Sequence, residues 1–129
     1  MQLARAFAER ARDALRTARH DVPVSAIAVV NRSYYCAFYA ASAVFAMEGR
    51  TFVKHTAVRA ALHRDLVREG RVGGDVGDAY DALFDARARG DYNSELRLGP
   101  EDANLAIERA ERVAYALLGI IGERIDGSA

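Results

Sequence analysis

Apolar residues recur at spacings of three and four along most of the 129 residues, and no stretch alternates with period two over a useful length. The pattern predicts an all-α chain of five helices. The first runs from about residue 2 to 19, with Leu3, Phe7, Ala11, Ala14, Leu15 and Ala18 as its inward stripe and Arg5, Glu9, Arg12 and Arg16 on the wet face. The second, residues 24–48, carries one charged residue, Arg32, before Glu48 and is apolar almost all round, with Pro23 at its start and Gly49 at its end. A third begins near His55 or Thr56, turns Val58, Ala61, Leu62 and Leu66 inward, and stops before Gly70. Residues 70–77 hold four glycines and read as a loop. A fourth helix, capped by Asp75 or Asp78, follows with Val76, Tyr80, Leu83 and Phe84 inward and ends at Gly90. Gly99-Pro100-Glu101-Asp102 starts the fifth, which runs to about Arg124 on a stripe of Ala103, Ala106, Ala110, Val113, Leu117 and Ile121.

Short connections favour alternation of direction, so the expected architecture is an up-and-down four-helix bundle with an additional C-terminal helix. Residues 1–125 are expected to form one helical domain and 126–129 a short disordered tail. The apolar part of the second helix after Ser33, residues 34–47, is shorter than the roughly 20 residues a bilayer requires, which argues for a bundle centre and against a membrane span. Four helices of this size cover only part of such a surface, so a second copy of the chain is expected against it.

Charge narrows the partners. Eighteen basic residues balance eighteen acidic ones, so no net field draws the molecule to nucleic acid or anionic lipid, and any such contact must be local. The lone cysteine, Cys36, sits among Tyr, Ala and Phe, as a small buried side chain in a reducing cytoplasm would. Residues 1–19 mix both charges and do not read as a secretory signal.

Arg87 is the most informative side chain, because it continues the apolar stripe of the fourth helix after Val76, Tyr80 and Leu83. A core-facing guanidinium needs an acid (Asp91, Asp85 or Glu48) or a position at a cleft where it grips a carboxylate or phosphate. Alternation of the helices gathers Glu48, Lys54, His55, Arg87, Asp91 and Tyr92 at one end of the bundle, a set able to bind phosphate and move a proton. The plain alternative for His55 is a helix-start residue bonded to backbone. His55, Arg59 and His63 recur every four residues, but two histidines two turns apart cannot share a metal, so a polar face and no metal or other cofactor is expected. Asn31, Arg32 and Ser33 need partners if buried. There is no phosphate-binding glycine loop, and no serine or cysteine in a nucleophile setting.

The order Asn-Arg-Ser-Tyr-Tyr-Cys-Ala-Phe-Tyr-Ala-Ala (31–41), Gly49, Lys54-His55-Thr56, Ala86-Arg87 and Asp91-Tyr92 resembles the HEPN family (higher eukaryotes and prokaryotes nucleotide-binding domain), and most closely its small stand-alone prokaryotic branch. The resemblance implies a dimeric helical bundle, often encoded beside a minimal nucleotidyltransferase in toxin–antitoxin or defence systems. Many members resemble metal-independent RNases, in which an arginine followed after four to six residues by histidine forms a composite site across the dimer. On that pattern Arg87 is the arginine, while Tyr92 stands where the histidine is expected. The catalytic candidates are therefore Arg87, His55, Asp91 and Tyr92, with Arg87 and Lys54 for a nucleotide or RNA phosphate and Asn31, Arg32, Tyr34 and Tyr35 for a dimer interface or polar support. Two functions stand side by side: a metal-independent endoribonuclease, or a catalytically silent module that binds a nucleotide or a nucleotidyltransferase partner.

Overall fold

The computed structural model describes residues 2–92 and 97–126, without the side chains of Asp91 and Tyr92. It contains α1 (Gln2–Asp21), α2 (Ala26–Met47), α3 (His55–Ala61, continued by a π-helical stretch over Leu62–Val67), α4 (Gly74–Tyr92) and α5 (Pro100–Ile120), and no strand among the described residues. Among the described residues the chain is all-α with five helices. Residues 127–129 of the expected tail lie outside the described residues.

α2 is the axis, packed on α1, α5 and α4. These four long helices form the bundle, and the short helix set against it is α3, while the C-terminal helix is an integral wall. α2 begins two residues later than the pattern suggests, because Ser25 makes the better cap: its hydroxyl accepts from the Ala28 amide at 3.1 Å, and Pro23 falls in the preceding turn.

Packing of α1 on α2 runs through small side chains. Ala4, Ala8, Ala11, Ala14, Leu15 and Ala18 are buried, and Ala37, Ala40, Ala41 and Ala43 are among the buried residues of α2. Two alanine surfaces let the backbones approach closely, so the larger Leu3 is pushed outward to 46% exposure and does not join the stripe. Phe7 is half-buried and stacks on Tyr39 at the rim.

α2 is not covered on every side. Tyr34, Cys36, Val44 and Phe45 are fully buried, but Asn31, Arg32, Tyr35, Phe38, Tyr39 and Ser42 are only half-covered and Ile27 is exposed. Their spacing places them along one open stripe.

The connection after α2 turns back along the helix. Gly49, at φ +77°, takes a left-handed conformation, the Arg50 amide donates to the Phe45 carbonyl at 2.8 Å, and Phe52 packs edge-on against Phe45. His55 is thereby delivered to the middle of α2, beside Tyr34 and Phe38, and α3 leads back toward the end of α2, where Arg50 meets Asp65 at 2.8 Å and Arg71 meets Glu48 at 2.7 Å.

α4 starts earlier than the glycine-rich loop suggests. Gly77 lies inside it and is buried, because a Cβ there would stand 2.8 Å from His63 Cε1 and 3.1 Å from Val67 Cγ2. That glycine serves close helix approach, not a turn. Gly90 likewise lies within the helix, which continues to Tyr92. No helix among the described residues is long and apolar enough to cross a membrane.

Candidate functional site

The candidate site is built around two consecutive tyrosines of α2. Tyr34 is fully buried, and burial pushes its hydroxyl up to about 12, so it remains a neutral phenol at physiological pH. Its oxygen lies 2.8 Å from Nδ1 of His55, the first residue of α3. The imidazole is sandwiched rather than bonded to backbone: it stacks on Phe38 with ring centroids 4.3 Å apart and meets Tyr35 edge-on at 5.7 Å. Burial first, and then the positive charge of Arg87, hold the imidazole below its ordinary value, which favours the neutral ring.

Two proton arrangements satisfy the Tyr34–His55 contact. If Tyr34 donates to Nδ1, the neutral ring carries its proton on Nε2; if Nδ1–H donates to the Tyr34 oxygen, Nε2 keeps a lone pair. Only the second leaves a base for proton abstraction.

Arg87 comes to the same tyrosines from α4. Its guanidinium carbon is 5.3 Å from the centre of the Tyr34 ring and 5.5 Å from that of Tyr35, and Nη2 lies 3.5 Å from the Tyr35 hydroxyl. Such ring contacts attract the guanidinium by about 0.5 to 2 kcal/mol and help to orient it. Two of the acids expected as its partner are engaged elsewhere: Asp85 lies 3.8 Å from Arg59, and Glu48 joins Arg71 and Arg50.

A cavity of about 360 Å³ opens beside Arg87, lined among others by Asn31, Arg32, Ser25, Gly90 and Leu98. Arg32 lies over the Tyr35 ring at 4.9 Å, and Asn31 Oδ1 accepts from both its Nε and Nη2, at 3.2 and 3.0 Å. Residues from the start of α2, the start of α3 and the end of α4 are thus assembled around Tyr34 and Tyr35. The expected gathering at the far end of α2 does not occur, since the fold-back after Gly49 carries His55 away from Glu48. Lys54 is the exposed cap residue of α3 and makes no side-chain capping bond. Tyr34 is wholly interior and supports His55; it presents no surface to a partner. The side chains of Asp91 and Tyr92 lie outside the described residues.

The fold that holds this arrangement has a match among known families. The HEPN domain family profile matches residues 4–120. The chain belongs to the HEPN family. It is also similar to a UPF0332 protein of Thermotoga maritima, 36% identical over 92 residues that span 71% of this chain and 70% of the relative.

In this HEPN chain the sequence pattern gave no sign of Asp81, whose Oδ1 lies 2.9 Å from Arg59 Nε and 2.8 Å from His63 Nε2. That carboxylate ties the polar face of α3 to α4. Its only trace in the sequence is its place among the polar positions of α4, three residues before Phe84. No cluster of three or more His, Cys, Asp or Glu side chains that could hold a metal occurs among the described residues. Cys36 is buried, and burial pushes its thiol up to about 12, which leaves no thiolate for nucleophilic chemistry.

Proposed function

We propose that this HEPN protein is a dimeric, metal-independent endoribonuclease, and that its site uses His55 as base and Arg87 as phosphate holder. The observation that carries the reading is the Tyr34–His55 contact with Arg87 over the same ring. A neutral imidazole fixed through Nδ1 suits Nε2 to take the proton of an RNA 2′-hydroxyl. The freed oxygen attacks the adjacent phosphorus, Arg87 stabilises the charge gathering on the phosphoryl oxygens, and the 5′-oxygen leaves with a proton from the Tyr92 phenol. The products are a 2′,3′-cyclic phosphate and a 5′-hydroxyl. By resemblance, Tyr92 is also the residue on which a partner nucleotidyltransferase would place a nucleotide in a toxin–antitoxin pair working in the cytoplasm.

The open stripe on α2, with Ile27, Tyr35, Phe38 and Tyr39, supports a second copy as its cover, and would bring two such sites to one face. Sedimentation should give a dimer at micromolar concentration; a monomer removes the composite site. Cleavage should survive chelator, and Tyr92→His should maintain or raise it, whereas cleavage that stops with chelator and returns with magnesium rejects the mechanism.

A second reading is a silent nucleotide-binding module. It is favoured by the cavity of about 360 Å³ beside Arg87, which is within the size range of small-ligand sites. Binding of a nucleotide with no cleavage by wild type or by Tyr92→His would select it.

A further inference from the structure

Arg32 differs from seven other arginines of the described residues. Arg16, Arg19, Arg50, Arg59, Arg64, Arg71 and Arg112 each have a carboxylate within 4.0 Å. Arg32 is half-buried, yet among the described residues its hydrogen bonds go only to the neutral Asn31 carbonyl oxygen, through Nε and Nη2. A guanidinium has five donors, so those two bonds leave Nη1 and part of Nη2 for a ligand. The Tyr35 ring below and Asn31 beside it fix the plane of the group, which lowers the entropy lost when it grips an anion. Arg32 and Arg87 line the same cavity and lie over the same Tyr35 ring, at 4.9 and 5.5 Å from its centre. Asp21 also lines this cavity, and its carboxylate opposes filling the whole space with phosphate.

We propose that Arg32, oriented by Asn31, binds a phosphate of single-stranded RNA next to the one that Arg87 holds. The inference rests on reading the Arg87–His55 site as an RNA cleft and adds the neighbouring contact that sets the strand along α2. Arg32 is then a binding residue, and its removal acts on affinity and salt dependence.

The experiment is equilibrium binding of a short 2′-O-methyl oligonucleotide, which cannot be cleaved, to the full-length protein over a range of salt. Arg32→Gln should weaken binding about tenfold and reduce the log–log salt slope by roughly 0.7, the value for one phosphate contact on a single strand. Arg32→Lys should keep the slope, and Arg32→Gln should leave binding of a nucleoside monophosphate at Arg87 unchanged. Circular dichroism and melting of each variant separate lost binding from lost folding. Wild-type slope and affinity in Arg32→Gln, with binding abolished in Arg87→Gln, overturn the inference and leave the cleft reading standing. Equal loss of mononucleotide binding in Arg32→Gln also overturns it, because both arginines would then share one phosphate. Absence of oligonucleotide binding by wild type overturns both.

Discussion

Tyr34→Phe removes one oxygen from the interior and tests how His55 is held. The ring keeps its neighbours, Tyr35, Phe38, Tyr80 and Phe84 at centroid distances of 5.3 to 6.1 Å, so no cavity opens. What is lost is one hydrogen bond of 2.8 Å to His55 Nδ1, worth about 1 kcal/mol net. For a chain of this length that corresponds to a fall in melting temperature of about 4 °C. Tyr34→Ala, by contrast, leaves a void and should cost about 3 to 5 kcal/mol. Urea unfolding measures the stability, and the ¹⁵N shifts of the His55 ring report its tautomer. The expected result for Tyr34→Phe is the small loss together with a redistribution of the proton between Nδ1 and Nε2. A stability change near zero with unmoved ring resonances would refute the claim that the hydroxyl orients the imidazole.

Arg87→Gln should raise the titration midpoint of His55 toward its ordinary 6.5, as followed by NMR, because it removes the second cause of the depression while burial remains. With the folded value below the unfolded one, the unfolded chain takes up the proton first; the contribution of His55 to stability is complete above about 6.5 and is lost as the pH falls from there through the folded value. An unchanged midpoint would show that the two charges do not interact. Gly77→Ala gains about 1 kcal/mol of helix propensity but sets a methyl 2.8 Å from an imidazole that Asp81 holds. Overpacking of about 1 to 3 kcal/mol should prevail, and a melting temperature above wild type would contradict it.

Helix number, order and most inward stripes were readable from spacing, because apolar residues recur at three and four along α3, α4 and α5. Leu3 was misleading, since periodicity does not say whether two helices meet through large or small side chains; the alanines of α1 decided that. Gly77 read as a loop residue because its reason is the nearness of His63, a contact between elements. The site was half visible. Arg87 stood out as a charge on an apolar stripe, and His55 as a titratable group at a helix start. Their meeting at Tyr34, instead of near Glu48, depends on the fold-back after Gly49. The hydrogen bond from Arg32 to Asn31 joins adjacent residues, and no periodic pattern distinguishes it from a contact between neighbours on a solvated face.

Catalysis by His55 is tested by incubating RNA with the purified protein in chelator and analysing the fragment ends by mass spectrometry, wild type beside His55→Ala. Wild type should give 2′,3′-cyclic phosphate ends, and His55→Ala, whose fold is checked by melting, should leave the RNA intact. Full-rate cleavage by His55→Ala, or RNA left intact by wild type, would contradict catalysis by His55.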